Sequence, residues 1–278
     1  MGKLLIESNI GTVVPGCLVE ALSHQNIELI EYLVDHGADV RERHQHGITG
    51  LCHAASLGHA TVIEYLLQKG ADVNETSECG CTALGHACEN ASLEIMQMLV
   101  AAGADVSAVD TKNRNLIHRV ATGGNVDCAK YILQEAEKAG VTIDLSLRDT
   151  TRRESALDEA ISRQHVAMVE YLASVPGMDV HTVHPTFGRT ALFNAARVGL
   201  LDAVRSLVGV GAKLDVVDRW GATPIYAAAR NGHENVVSYL LELDPTLVDV
   251  KDNGLGHAQR AKQADSDGQH IQGTDGSE

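Results

Sequence analysis

The chain has 278 residues, 44% of them apolar, which is enough to bury a sizeable core in a soluble folded protein. Its formal net charge of −15 excludes general affinity for a nucleic-acid backbone or an anionic membrane surface, because both would repel the average molecule. No apolar run approaches the roughly 20 residues of a membrane-spanning helix. Six cysteines in a chain of this length indicate a reducing compartment, cytoplasmic or nuclear, rather than a disulfide scaffold.

In chain order, the first feature is the short apolar stretch KLLIESN within residues 1–15, which we interpret as an N-terminal capping segment. A similar sequence segment then recurs along the chain. It reads GITGLCHAASLGHATVIEYLLQKGADVN from Gly47, GCTALGHACENASLEIMQMLVAAGADV from Gly80, GRTALFNAARVGLLDAVRSLVGVGAKL from Gly188 and GATPIYAAARNGHENVVSYLL from Gly221. Fixed-period self-similarity of this kind is typical of repeat architectures.

One position of the segment, the Thr at 223, serves as a marker. Its equivalents are Gly16, Thr49, Thr82, Asn115, Ser155 and Thr190. The spacing is 33 residues except for 40 before Ser155 and 35 before Thr190. The longer spacing before Ser155 predicts a longer second helix or a longer turn in the fourth repeat, either through neutral loop growth or to contact a partner.

These residues resemble the ankyrin repeat, with its T-P-L-H start, its Gly-His turn and its G-A-D-V-N end, over about residues 16–250. The resemblance implies an all-α solenoid of stacked helix-turn-helix units with projecting hairpin-like turns, which we call fingers. It predicts repeats at about 16–43, 44–76, 77–109, 110–148, 149–183, 184–216 and 217–250. Residues 251–264 are expected to form a truncated C-terminal cap, and 265–278 a disordered tail.

Local chemistry supports this prediction independently of the resemblance. Thr at the marker is a good helix N-cap, and Pro224 follows at a position where a missing N–H costs nothing. Paired alanines such as Ala54 and Ala55 let neighbouring helices approach closely. Glycines such as Gly58 and Gly70 end the two helices of each repeat in a left-handed conformation.

His233, Glu234 and Tyr226 sit near two glycine turns, as catalytic residues can. They occupy recurring repeat positions, however, so we predict packing or capping roles for them. H-E-x-x-H, G-x-S-x-G and a complete phosphate loop are all missing from the sequence. We therefore expect no enzyme activity and no cofactor.

Candidate binding residues come from the positions that the repeat leaves variable. The resemblance implies a concave face made of finger tips and exposed first-helix positions. Repeats 4–7 place lysine and arginine residues on this face, opposed by the acids Glu154 and Glu159. Repeats 1–3 place no lysine or arginine there. The predicted partner-binding residues are Lys112, Arg114, Arg119, Arg152, Arg163, Phe187, Arg189, Arg197, Arg219, Trp220 and Arg230.

Guanidinium groups suit bidentate recognition of carboxylate or phosphate, and exposed aromatic residues supply much of the affinity of interfaces. Two alternatives stay open: the arginines pair with neighbouring acids, or Phe187 and Trp220 pack against each other to stiffen their fingers. A weaker metal hypothesis places zinc between His44 and His46 on one finger and Cys79 and Cys81 on the next.

The sequence thus predicts a monomeric, non-catalytic protein-protein interaction module, an adaptor, scaffold or inhibitor. Its expected partner is a protein that presents an acidic or phosphorylated segment to the concave face of repeats 4–7. The alternative is a regulatory ankyrin region cut from a larger enzyme or channel.

Overall fold

The structure is a computed structural model that describes residues 17–24, 26–43 and 47–249, apart from the side chains of Val19, Val248 and Asp249. The predicted N-terminal capping segment, truncated C-terminal cap and disordered tail lie outside the described residues. The chain divides into two compact units, one ending at Asp179 and the other beginning at Val180. No helix in the described part is both long and apolar enough to span a bilayer.

The first unit is built from helix pairs, each followed by a finger. The first helices of successive pairs pack side by side, and from the second pair onward the second helices form a row behind them. Among its described residues the helices are α1 Cys17–Ser23, α2 Ile27–Asp35, α3 Gly50–Leu57, α4 Ala60–Gln68, α5 Ala83–Glu89, α6 Leu93–Ala101, α7 Leu116–Gly123, α8 Val126–Lys138, α9 Ala156–Ser162 and α10 Val166–Ser174.

The marker residues start the first helices, as the sequence predicts. The side-chain oxygens of Thr49, Thr82 and Asn115 each accept the backbone N–H three residues further on, at 3.1 to 3.2 Å. Ser155 does the same and also belongs to a full capping box, because the Asp158 side chain accepts the Ser155 backbone N–H. Each cap satisfies a helix-end donor and is worth about 1 kcal/mol.

The core of each repeat is a thin layer of small and aliphatic side chains. In the third repeat, Leu84, Ala87 and Cys88 from α5 meet Ile95 and Leu99 from α6, and all five are buried. Each buried leucine or isoleucine contributes about 1.5 to 3 kcal/mol of transfer free energy. The stability of the unit therefore comes from contacts between adjacent layers rather than from one deep core.

The fourth repeat carries an insertion, and the structure shows where it goes. Helix α8 has 13 residues, whereas α4, α6 and α10 have nine. The segment from Gly140 to Asp149 is also longer than its equivalent from Gly103 to Asp110. Both the helix and the finger have grown, and they border an open groove of about 620 Å³ next to Tyr171 on α10.

The glycine that ends a first helix is required by two constraints at once. Gly124 has a φ of +77°, and a Cβ there would lie 2.6 Å from the His165 ring of the next repeat. Four non-glycine residues also adopt left-handed φ values between 56° and 62°: Ala91, Asn113, Arg153 and Gln164. These residues carry conformational strain that glycine would avoid.

The second unit repeats the same construction. Thr190 and Thr223 cap its first helices through the backbone N–H groups of Phe193 and Tyr226. Phe193 is buried against Ala222 and Ala227. The elements are α11 Ala191–Val198, α12 Leu201–Gly209, α13 Pro224–Arg230, α14 Glu234–Leu243 and a 3-10 helix Pro245–Asp249. The fold is all-α, as predicted: β-pairing among the described residues is limited to two isolated bridges.

Candidate functional site

The histidine that follows the first helix has a structural role. His233 Nε2 lies 3.0 Å from the Arg197 carbonyl of the preceding repeat, and His165 Nε2 lies 3.0 Å from the Thr122 carbonyl. Each imidazole thus satisfies a carbonyl at the end of the neighbouring helix. His233 therefore makes an inter-repeat packing contact, one of the two roles predicted for it, although neither imidazole caps its own helix.

Arg119 of the first unit lies in the interior. Its guanidinium contacts Glu89 at 2.6 Å and Asp110 at 2.6 Å, and its side chain is only 5% exposed. Removing one partner of such a buried pair leaves an uncompensated charge and typically costs about 3 to 5 kcal/mol. Arg119 therefore links neighbouring repeats and is not accessible to a partner.

Asp110 joins Arg119 to the finger of the fourth repeat. Its carboxylate accepts the backbone N–H groups of Lys112 and Arg114 and also contacts the Arg114 side chain at 2.9 Å. Although burial acts to raise it, the pKa of Asp110 is lowered by these hydrogen bonds and the two guanidinium groups. Asp110 thus shapes the finger and holds both arginines.

The other predicted cations of the first unit differ in how they are used. Arg163 contacts Glu159 at 3.0 Å, and Arg152 lies 3.7 Å from Glu154. Lys112 is exposed and makes no ion pair with any residue that the structure describes. Pairing with neighbouring acids, one of the two alternatives from the sequence, accounts for Arg114, Arg119, Arg152 and Arg163.

The second unit brings the two predicted aromatic residues together. The rings of Phe187 and Trp220, on adjacent fingers, are 6.2 Å apart between centroids and inclined by 24°. The Arg189 guanidinium carbon lies 5.1 Å from the Phe187 ring and 5.3 Å from the Trp220 ring. The Arg219 guanidinium carbon lies 4.4 Å from the Trp220 ring. We call these four residues the aromatic–arginine cluster.

The cluster is held by the turns of its two fingers. Asp218 Oδ1 accepts the backbone N–H groups of Trp220 and Ala222, both at 3.0 Å. On the other finger His184 takes this place: its Nδ1 accepts the N–H groups of Thr186 at 3.2 Å and Phe187 at 3.3 Å. Both aromatic residues therefore sit on fixed backbone turns and stay partly exposed.

Sequence reasoning missed His184 and Asp218, which position the cluster without belonging to the variable set. The recurring Asp a few residues before the marker, seen in Asp110 and Asp218, was the signal available. His184 departs from that pattern, so only its two hydrogen bonds reveal its role. Two further predicted binding residues belong to the second unit. Arg197 on α11 is half-buried, and Arg230 on α13 is exposed.

Two of the four residues of the zinc hypothesis, His44 and His46, lie outside the described residues. Burial raises the pKa of Cys81 to about 12, which opposes the thiolate that a zinc ligand must supply. Cys79 is exposed, with its Sγ 3.1 Å from Ser77 Oγ. Within the described part of the chain, no group of three or more His, Cys, Asp or Glu side chains is arranged to hold a metal ion.

Capped helix pairs stacked in layers, with fingers that carry variable polar and aromatic side chains, define a helical-repeat protein. The chain belongs to the ankyrin repeat family. The family model described as ankyrin repeats (3 copies) matches residues 18–110 and 175–252, well over half of the chain. The human ASB11 ankyrin repeat domain has a similar structure, with a TM-score of 0.68 and 25% identity, over 82% of this chain and 97% of that one.

Among curated proteins, the chain is similar to cyclin-dependent kinase inhibitor 2A of Monodelphis domestica, with 42% identity over 67 residues, 24% of this chain and 39% of that protein. It is also similar to cyclin-dependent kinase 4 inhibitor B of Rattus norvegicus, with 35% identity over 74 residues, 27% of this chain and 57% of that protein. An L-asparaginase of Dirofilaria immitis is 27% identical over 157 residues, 56% of this chain and 25% of that protein. The matches span less than two thirds of each of these relatives.

Proposed function

We propose that this ankyrin repeat protein is a non-catalytic binding module, an adaptor, scaffold or inhibitor, that works as a monomer in the cytoplasm or nucleus. Its partner is a protein with an acidic or phosphorylated segment, bound on the first-helix and finger surface of repeats 4–7. The observation that carries this proposal is the aromatic–arginine cluster: two stacked, partly exposed aromatic rings with two guanidinium groups beside them.

The cluster has the composition of an interface hot spot. Tryptophan and arginine are enriched among the residues that dominate binding energy, and rings held by fixed turns lose little conformational entropy when a partner covers them. The proposal therefore assigns affinity to Phe187 and Trp220. It assigns association rate and specificity to the arginines.

The two units contribute differently to the proposal. Among the predicted binding residues of the first unit, Lys112, Arg152 and Arg163 are exposed, whereas Arg119 is buried and Arg114 is tied to Asp110. In the second unit, Arg219 and Arg230 are exposed and Arg197 is half-buried. The proposal rests chiefly on the second unit, where cationic and aromatic groups occur together.

The kinase inhibitors among the relatives suggest a first partner class to test. Those relatives are named for inhibiting cyclin-dependent kinases, and the shared stretch covers about a quarter of this chain. A protein kinase is therefore a concrete candidate partner for this module.

Affinity capture from cell extract, read by mass spectrometry, tests the proposal when it is run on matched variants. Trp220→Ala should weaken binding of a captured partner by about 2 kcal/mol or more, mainly through faster dissociation. Replacing the exposed Arg219 and Arg230 by Ala should slow association and flatten its salt dependence. His53→Ala, on a first helix of the first unit, is the control. A partner that binds all variants equally well would show that this surface is not the binding site.

The alternative function is a regulatory region of a larger enzyme or channel. The L-asparaginase relative supports it, because the match covers only 25% of that protein and the relative is named as an enzyme. Mass measurement of the protein purified from its own cells tests it. A mass well above 29.6 kDa would favour the regulatory alternative.

A further inference from the structure

Planar side chains form a row across the two fingers of the second unit. His184 stacks on Phe187 at 4.9 Å between ring centroids, and Phe187 stacks on Trp220 at 6.2 Å. The Arg219 guanidinium carbon lies over the Trp220 ring, 4.4 Å from its centroid. Arg219 is exposed, whereas His184 is buried. The row therefore presents a guanidinium at its solvent end.

Arg219 is fixed in place by more than stacking. Its backbone N–H donates to the Phe187 carbonyl at 2.9 Å, and its Nη1 donates to the Thr186 carbonyl at 3.2 Å. A guanidinium has five N–H donors, and stacking on a ring leaves the in-plane donors available. No other described side chain or carbonyl takes the remaining donors of Arg219. Its planar edge is thus oriented before any partner arrives.

Arg189 is placed differently. Its side chain is 19% exposed, and its Nε lies 3.6 Å from Asp218 Oδ2. Its guanidinium carbon lies 5.1 to 5.3 Å from three rings: Phe187, Phe193 and Trp220. It fills the interior of the cluster, and its charge is balanced by Asp218.

We infer that Arg219 is the specificity-determining residue of this surface and binds one carboxylate of an acidic peptide segment through its planar edge. Arg189 is a positioning residue that holds Phe187 and Trp220 in their stacked arrangement. This inference rests on the proposed function and names the chemistry of the partner. With Arg189 balanced by Asp218, the cluster offers one uncompensated guanidinium, which matches the single charge of a carboxylate better than a phosphate dianion. An apolar side chain beside that carboxylate packs on the exposed parts of the two rings.

A peptide selection tests this inference while the partner is unidentified. A phage library of random 12-residue peptides is selected in parallel on the immobilised full chain and on its Arg219→Gln, Arg205→Gln and Trp220→Ala variants. Arg205 is a matched control, because it is also exposed and stacked on an aromatic ring, Tyr239, at 5.3 Å, but it lies on helix α12. The wild type and Arg205→Gln should enrich peptides with Asp or Glu next to an apolar residue. Arg219→Gln should enrich apolar peptides without that acid.

A double-mutant cycle then isolates the contact. Trp220 is the one tryptophan of the chain, so its fluorescence reports binding of a tryptophan-free synthetic peptide directly. Replacing the peptide's Glu by Gln should weaken binding to the wild type about tenfold, as expected for a charge-assisted bidentate contact. The same replacement should have almost no effect on Arg219→Gln, because the contact is already lost.

Arg189→Lys separates positioning from recognition. It keeps the charge but loses the planar group between the rings, so acrylamide should quench Trp220 more strongly. The Glu and Gln peptides should both bind more weakly by the same factor. If Arg189→Lys abolished the preference for Glu while Arg219→Gln retained it, the two assignments would be overturned.

The remaining outcomes distinguish the two levels of the proposal. If the wild type enriched no peptide over Trp220→Ala, the proposed function would fail and this inference with it. Enrichment with an equal acid preference in Arg219→Gln would overturn this inference alone. A phosphoserine version of the peptide that bound more than about tenfold tighter than the Glu peptide would overturn the assignment to carboxylate.

Discussion

Glu154 is a carboxylate that the fold places among other acids. Burial raises its pKa to about 7, with Asp158, Glu159 and Asp149 adding to the rise and Arg152 opposing it. Its Oε2 is buried and has no hydrogen-bond partner in the described chain. Because the folded-state pKa lies above the ordinary value of 4.5, the folded protein holds a proton that the unfolded chain releases between these two values. The stability contributed by Glu154 should therefore fall as pH rises from about 4.5 through about 7.

Glu154→Gln removes this charge and should stabilise the protein at pH 8 by about 1 to 2 kcal/mol, with little effect at pH 4.5. Urea unfolding of both proteins across this pH range measures the difference. Glu170→Gln, an exposed acid on α10, is the control and should change stability little at any pH. A stability difference between Glu154→Gln and the wild type that stays constant with pH would show that folding does not raise the pKa of Glu154.

At the scale of the element, the fingers differ in how they turn. Gly80 and Gly221 have positive φ values of 72° and 81° near their finger tips, whereas Asn113 and Arg153 take φ values of +62° without being glycine. A residue with a Cβ in this region lowers the stability of the folded state by roughly 1 to 2 kcal/mol. Glycine avoids this strain, but it also raises the conformational entropy of the unfolded chain, so its net gain in stability is smaller. The finger of the fifth repeat therefore carries backbone strain at a position where the fingers of Gly80 and Gly221 carry none.

Arg153→Gly should stabilise the first unit by about 0.5 to 1 kcal/mol, because it relieves the strain at an exposed position. Thermal and urea unfolding measure this. Arg152→Gly is the neighbouring control: Arg152 has no positive φ and lies 3.7 Å from Glu154, so its replacement should destabilise. Equal effects of the two substitutions would contradict the assignment of strain to Arg153.

At the scale of the whole molecule, an array of repeats opens at its weakest layer. The fifth repeat has left-handed residues at Arg153 and Gln164, the half-buried Glu154, and Ile161 where repeats 2, 4, 6 and 7 have alanine. We predict faster hydrogen exchange over residues 141–180 than over 47–106. A missing N-cap is not the cause, because Ser155 forms a full capping box, so the weakness has to come from backbone strain and the partly buried Glu154. Uniform protection across the first unit would refute this prediction.

The fold of this protein follows from its sequence alone, because in a repeat array the deciding signals are local. The marker residues Thr49, Thr82 and Thr223 cap helices through N–H groups only three residues away. Glycines such as Gly124 end helices. The marker spacing is enough to assign the seven extra residues of the fourth repeat to its second helix or its finger. A position in such an array contacts its own repeat and its neighbours, so a period of 33 residues carries most of the architecture.

Which charges are available for binding, in contrast, depends on contacts between repeats. Arg119 and Arg219 look alike in sequence, as arginines at or beside variable positions of a repeat. Arg119 is buried in ion pairs with Asp110 and with Glu89, which lies 30 residues away in the neighbouring repeat. Arg219, in contrast, lies over the Trp220 ring and remains exposed to solvent. The physical reason is that ion pairs and ring stacking join different repeats. Whether an arginine is accessible depends on the side chain that the neighbouring layer places opposite it, and the repeat period leaves that side chain unspecified.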